Sequence, residues 1–305
     1  MRSKKTIKNG IESFTVFLLI RLFRGISRHN GILISRWLAM AAYAIFRKHR
    51  RNAIRNLSTA FGNEKTEKEI HGIACGVFVH FATVLVDVIR IPLYLKEGLD
   101  HSIKVENLHY LEEAVNQGKG VVLLTGHFGN WELMGAWLAA HQYPVAAIAK
   151  PLSNSRLNRM LVDLRNQAGY INIARGNALA EIAKILKGGG ILGVLMDQDT
   201  RLKGVFVNFF NRKTNTPIGP LCIARRYGAL VVPAFMHLEK GLTYRLECFK
   251  PLCLSFTGDK HQDVIADARN CNAVYEQVIR RHPEQWAWMH RRWRRRPRAN
   301  PNGVE

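Results

Sequence analysis

The segment Thr125-Gly126-His127-Phe128-Gly129-Asn130-Trp131-Glu132-Leu133 sets an imidazole five residues ahead of a carboxylate. A histidine paired with a carboxylate is the base-and-orienter half of a catalytic triad: the carboxylate fixes the tautomer and stabilises the imidazolium. The segment contains no serine or cysteine to act as nucleophile. The third member is then expected on the substrate, as a hydroxyl. That points to transfer of an acyl group onto an alcohol without a covalent enzyme intermediate. On a regular helix five residues turn through about 500°, leaving His127 and Glu132 about 140° apart. They meet only if the chain turns between them, and Gly126 and Gly129 permit such a turn. The plain alternative is a core histidine beside an unrelated surface glutamate. A bare H-x4-E spacing is a weak signal, and its structural context decides.

The elements around the segment supply that context. Gly120–Thr125 is a short, wholly apolar run of buried-strand type, and Glu132–His141 reads as a helix. The segment therefore sits at the carboxyl end of a strand, where sites in α/β sheets form. Alternation continues: strands at 145–149, 171–174, 191–196, 230–236 and 243–249, helices at 108–115, 154–167, 178–186 and about 262–281. Strand–helix alternation predicts an α/β fold with a mainly parallel central sheet flanked by helices. Upstream, 63–95 reads as one long helix with a capping box, Thr66-x-x-Glu69, at its start and Pro92 marking its end. Thr216-Pro217 reads as a helix N-cap followed by proline at the first position, with the helix stopping at Gly228.

Other residues suit a site. Asp197-Gln198-Asp199 follows the strand 191–196; a carboxylate there has a site-organising role or caps a turn, and Asp197 is expected to orient an arginine such as Arg159 or Arg175. Oxyanion donors are expected from backbone N–H groups near Gly129 and Asn130, the Asn130 side chain, or Arg159 or Arg175. His290, in Trp288-Met289-His290-Arg291-Arg292-Trp293, reads as structural or phosphate-binding, with helix packing accounting for the tryptophans. The histidines show no metal-ligand spacing such as HExxH, and the five cysteines form no CxxC pair; they read as reduced thiols buried as small hydrophobes.

With these residues in place the sequence resembles the lipid A biosynthesis lauroyl/myristoyl acyltransferases, the late secondary acyltransferases of the glycerolipid acyltransferase superfamily. GHFGNWE, with His127 and Glu132, carries the resemblance. So do Lys150-Pro151-Leu152-Ser153-Asn154 followed by Arg165, the strand-end Asp197-Gln198-Asp199, Val207-Asn208-Phe209-Phe210 before Thr216-Pro217, and the C-terminal run from Pro283 to Trp293. The resemblance spans about 65–297. Asn211 stands where the family commonly has glycine, and asparagine tolerates a left-handed backbone. The resemblance implies a cytoplasmic-face enzyme of the bacterial inner membrane. It would move an acyl chain from acyl carrier protein to the hydroxyl of a 3-hydroxyacyl chain on a lipid A precursor, with no metal or other cofactor. His127 and Glu132 would be catalytic; Asn130, Arg159, Arg165, Arg175, Asp197 and Gln198 would bind substrate. Transfer to another glycolipid, such as a phosphatidylinositol mannoside, or to a lysophospholipid would use the same chemistry.

Charge fits that setting. The 305 residues carry a net charge of +22 with 47% hydrophobic residues, a globular composition. The excess is concentrated at residues 1–60 and 280–298, leaving the body nearly neutral. Near the N-terminus the basic residues are interleaved with apolar runs, 14–23 and 31–46, ahead of Arg47-Lys48-His49-Arg50-Arg51. No run reaches the ~20 uninterrupted apolar residues of a standard membrane span. The pattern is that of helices lying in an anionic membrane surface with snorkelling arginines; a buried helical hairpin with solvated charges is the alternative. The chain accordingly divides at 1–62, a membrane-anchoring helical segment, and 63–305, the acyltransferase domain with a basic tail. A nucleic-acid-binding role has only the net charge behind it, since no helix-turn-helix, RRM or zinc module is present.

Overall fold

The computed structural model describes residues 2–174, 178–200 and 203–297. Three helices lead the chain: α1 (Arg2–Gly25), α2 (Arg28–Ile45) and α3 (Arg47–Phe61). The long α4 (Glu67–Glu97) follows, then β1 (Ile103–Glu106), α5 (His109–Asn116), β2 (Val121–Thr125), α6 (Trp131–Ala140), β3 (Val145–Ala149), α7 (Ser155–Gln167), β4 (Ile171–Ala174), α8 (Leu179–Lys187) and β5 (Ile191–Leu195). A hairpin of β6 (Gly204–Phe209) and β7 (Arg212–Pro217) precedes α9 (Gly219–Tyr227), β8 (Leu230–Leu238), β9 (Tyr244–Cys248) and α10 (Lys260–Arg281).

The sheet has seven strands in the order β1-β9-β8-β2-β5-β3-β4. Neighbours are parallel except for the antiparallel pair β8–β9, so the expected mainly parallel sheet flanked by helices is what forms. β2 is buried at every position, as a central strand covered on both faces must be. The order places the switch point of the sheet between β2 and β5: the chain leaves β2 toward β3 and leaves β5 toward β8. Such a crevice, at the carboxyl ends of the strands, is where this class of sheet builds its sites.

The Thr66–Glu69 capping box forms, with Thr66 Oγ1 accepting from the Glu69 N–H and Glu69 accepting from the Thr66 N–H. Pro92 does not end the helix, which runs on to Glu97. A proline costs an interior helix roughly 3 kcal/mol, and packing outweighs it: Ile89 and Ile91 are buried beside it and the Tyr94 hydroxyl donates to Asp87 two turns up the helix. Among the described residues α4 is the one helix long and apolar enough to cross a membrane, and half of its apolar window is buried inside the protein. It packs on α1, α2, α3 and α6, and its Val77 shares one core with Leu57 of α3 and Val122 of β2.

Thr216-Pro217 is not a helix start. Both residues end β7, and α9 begins at Gly219 with Pro220 in its first turn. The stretch 204–217 is a two-residue hairpin in which Phe210 and Asn211 both have positive φ, 49° and 57°. That is the backbone a type I′ turn needs. Asn211 adopts it readily. Phe210 is held there because its ring is buried against Phe61 and Trp288, and its N–H donates to Glu276 Oε1 (2.7 Å). Likewise, 286–293 is not helical. Trp286 is extended and bridges to Phe128, and Trp286, Trp288 and Trp293 pack with Phe209 in an aromatic cluster that straps the C-terminal segment to the body.

α1 and α2 leave an apolar surface uncovered. Ile11, Phe14, Leu18 and Leu22, spaced as one helical face, are exposed on α1; Leu38, Met40 and a 73% exposed Trp37 are exposed on α2. Arg21 on α1, Arg36 on α2 and Arg47 and Lys48 at the start of α3 are exposed as well.

Candidate active site

His127 lies two residues beyond the end of β2 and Asp197 two residues beyond the end of β5. These strands are neighbours, and Thr125 is in register with Leu195, so the two residues leave the sheet level with each other, about 4.8 Å apart in strand spacing. The backbone N–H of His127 donates to Asp197 Oδ2 (2.8 Å), and His127 Nδ1 lies 2.8 Å from Asp197 Oδ1. The indole N–H of Trp286 donates to Oδ2 as well (2.8 Å). Burial by itself would raise the Asp197 carboxyl; the charge and hydrogen bonds of His127 and the Trp286 indole outweigh it and hold the carboxyl below the usual aspartate value. An ionised Asp197 makes Nδ1 the protonated nitrogen and leaves Nε2 as the basic one.

The turn carrying His127 admits no side chain at its glycines. A Cβ on Gly129, at φ 58°, would stand 1.8 Å from the Met236 carbonyl oxygen, and one on Gly126 would meet the Tyr275 ring and the Asp197 carboxylate at 3.0–3.1 Å. The buried Tyr275 hydroxyl donates to the Thr125 carbonyl (2.6 Å) and accepts from the Met196 N–H (3.3 Å), tying the ends of β2 and β5 together. The strap pairs with the turn: Gly129 N–H donates to Gln285 O (2.9 Å) and Ala287 N–H to His127 O (3.0 Å).

Glu132 does not meet His127. It stands in the first turn of α6, buried, where Arg165 donates to both its oxygens (2.9 and 2.5 Å), the Tyr170 hydroxyl donates to Oε2 (2.5 Å) and the Trp131 indole donates to Oε1 (3.1 Å). The Trp131 ring in turn packs edge-on to His127, centroids 5.3 Å apart. The carboxylate that orients the imidazole comes from a neighbouring strand end and not from the H-x4-E spacing. The physical reason is the one the spacing already carried: Glu132 is on the helix and His127 precedes it, so their side chains diverge. Burial opposes ionisation of Glu132, and Arg165, Tyr170 and Trp131 together keep its carboxyl below the ordinary value.

The other expected site residues separate into two groups. Gln198 lines the cavity into which His127 faces. Arg165 lines it too, but its guanidinium is engaged by Glu132 and by Asn172 (2.5 Å). Asn130 is fully buried; its side-chain oxygen caps α6 by accepting from Leu133 N–H, and its amide donates to Tyr244. The backbone donors expected near it are spent, because Asn130 N–H donates to Met236 O (2.8 Å) and Gly129 N–H to Gln285 O. Arg159 is exposed on α7 and does not line the cavity. Asp197 therefore orients His127 and has no bond to Arg159; Arg175 lies outside the described residues. Asp199 pairs with Arg294 (3.2 Å) and Arg295 (3.4 Å) at the cavity edge.

The cavity measures about 1400 Å³, above the ~300–1,000 Å³ of ordinary small-molecule sites. Beyond His127 its wall is largely apolar, with Leu138, Val145, Leu161, Ile182 and Val194 among the lining residues. Small residues, Gly135, Ala147 and Gly193, keep the space between sheet and helices open. Among the described residues no serine or cysteine lines it, and no cluster of three His, Cys, Asp or Glu side chains is arranged to hold a metal.

Comparison with known proteins follows this geometry. Residues 8–295 match the family described as bacterial lipid A biosynthesis acyltransferase. The chain belongs to that family. It is similar to the phosphatidylinositol mannoside acyltransferase of Mycobacterium tuberculosis H37Rv, 25% identical over 214 residues covering 68% of this chain and 66% of that protein. It is similar also to the lipid A biosynthesis palmitoleoyltransferase of Escherichia coli K12, 31% identical over 63% of this chain and 62% of that one, and to the lauroyltransferase of the same organism, 28% identical over 65% and 64%. The match thus spans just under two thirds of these relatives' own length.

The two buried carboxylates set an acid dependence. Both are held below their ordinary values of 3.8 for Asp and 4.5 for Glu, so the unfolded chain takes up protons first. Their stabilisation is complete above about pH 4.5 and is lost as pH falls through the lower folded-state values. In Glu132→Gln, Arg165 keeps its buried charge without a partner, and the variant is expected to lose about 3–5 kcal/mol. Urea unfolding across pH 3 to 7 checks both points: the wild type weakens below pH 4.5, and the variant starts weaker and falls less.

Proposed function

We propose that this chain transfers a fatty acyl group from the thioester of acyl carrier protein to a hydroxyl of a membrane glycolipid, the acceptor being the 3-hydroxyacyl chain of a lipid A precursor at the cytoplasmic face of the inner membrane. The observation that carries the reading is a half-buried His127 held by the buried Asp197 and opening on a large apolar cavity in which, among the described residues, no serine or cysteine nucleophile stands. Family membership supports the reaction class. The relatives' names include both lipid A and phosphatidylinositol mannoside acyltransferases, so the acceptor is the finer part of the proposal.

The residues perform the transfer in two steps. Nε2 of His127 takes the proton of the acceptor hydroxyl as its oxygen bonds to the thioester carbonyl carbon. Asp197 keeps the ring in place and stabilises the imidazolium. Collapse of the tetrahedral intermediate breaks the C–S bond, and the leaving thiolate takes the proton from His127. Glu132 and Arg165 act on the wall, holding α6 to α7 beside the acyl slot. The exposed apolar faces of α1 and α2, with exposed arginine and lysine on the same helices and on α3, seat the protein in an anionic bilayer, which is the role we assign to residues 1–62.

Purified, detergent-solubilised protein, given carrier-bound acyl donors of several lengths and a tetra-acylated lipid A precursor, is expected to yield a product one acyl group heavier by mass spectrometry. His127→Ala and Asp197→Asn are each expected to lower the rate at least about 10²-fold. Transfer only to another glycolipid or a lysophospholipid would move the acceptor and keep the chemistry. A Cβ at Gly193 would meet nothing nearer than Ala146 O at 3.5 Å, so Gly193→Val is tolerated by the backbone and fills the slot; preference is expected to shift toward shorter donors in competition assays. Trp37→Glu with Phe14→Glu is expected to release the protein from vesicles containing anionic lipid in a flotation assay, with the melting temperature unchanged.

A further inference from the structure

Attack on a thioester carbonyl leaves a negative oxygen, and a preorganised donor aimed at it lowers the barrier. Among the described residues, the donors suggested by the sequence are engaged elsewhere or lie away from the cavity. His290 lines the same cavity as His127. Its backbone is pinned on both sides, N–H to Ala287 O (3.0 Å) and carbonyl from the Asn56 amide (2.6 Å), on the strap whose Trp286 binds Asp197. Its Nδ1 is sealed from solvent and has no hydrogen-bond partner. A proton on Nδ1 would be a buried donor without an acceptor, at a cost of roughly 1–3 kcal/mol, so the neutral ring carries its proton on Nε2. Burial lowers the basicity of the ring, and the charges of Asp197, His127 and Asp199 all act on it.

We infer that His290 is a further catalytic residue, a neutral Nε2–H donor that binds the acyl carbonyl oxygen as it becomes an oxyanion. The inference rests on the acyl-transfer reading above. The hydroxyl proton goes to His127, the carbonyl electron pair moves onto the oxygen held by His290, and that pair returns as the C–S bond breaks. His290 keeps its own proton throughout. Its pinned backbone sets it apart from Gln198, the other polar residue on this wall taken from the sequence.

The test compares His290→Ala, His290→Gln and His290→Asn in the full chain, with carrier-bound acyl donor and the acceptor the wild type uses. Glutamine places its amide nitrogen near the position of Nε2 and asparagine near that of Nδ1. Alanine and asparagine are expected to lower kcat about 10²–10³-fold with KM little changed, as loss of one oxyanion donor does; glutamine is expected to restore most of kcat and to keep the wild-type pH profile, since His127 remains the base. Full kcat in the alanine variant, asparagine equalling or exceeding glutamine, or a loss confined to KM would overturn the assignment. Melting temperatures identify a variant that fails to fold; the glutamine–asparagine comparison then decides. A wild type that transfers from no donor would overturn the functional reading itself, and the role of His290 with it.

Discussion

A carboxylate without solvent is stable only if its oxygens are fully hydrogen-bonded, and the arrangement of this protein follows from meeting that demand at Asp197. Its oxygens take the imidazole and the backbone N–H of His127 and the indole of Trp286. The first two require β2 and β5 to be neighbours in register. The third requires the strap to reach the carboxyl edge of the sheet. Gly126 and Gly129 have no side chains because the turn lies against Asp197, Tyr275 and the Met236 carbonyl. Tyr275 joins the two strand ends from the helix behind them.

Glu132 meets the same demand with other partners and serves a different end. Arg165, Tyr170 and Trp131 take its oxygens, so its charge is neutralised within the wall and does not reach His127. Two carboxylates near one imidazole thus divide the work. One sets the tautomer of the imidazole; the other fixes α6, α7 and β4 around the apolar cavity. A second buried network, Arg28–Asp87–Tyr244–Asn130, runs from the start of α2 to the cap of α6 and fixes the helix that follows the His127 turn.

Much of this was legible in the sequence. Apolar runs and helical periods located β2, β3, β4 and β5 and the helices between them, because short buried strands and amphipathic helices write themselves in local composition. His127 stood out for the same reason, as a histidine at a strand end between glycines. Its partner did not, because H-x4-E favours the nearest carboxylate along the chain while the sheet order brings in one 70 residues away. The signal that would have found it was the matching position of His127 and Asp197 after their strands, given that those strands are adjacent. Pro92 and Pro217 misled as punctuation: one is carried through a helix by the packing around it, and the other ends an edge strand. The hairpin 204–217 was hidden because its turn residue Phe210 earns its left-handed backbone from distant aromatic contacts.

The strap has a consequence in time. Asp197 emerges 70 residues after His127, and Trp286 another 89 after that. During synthesis the sheet can assemble, and His127 can meet Asp197, while the third donor is still unmade. Closing such a contact late carries the entropy of a long loop, which grows only slowly with length, but it makes contacts of high sequence separation the slow part of folding. The nascent chain therefore holds a partly hydrogen-bonded Asp197 until the last tryptophans leave the ribosome, and the site becomes rigid only as the chain is completed through them.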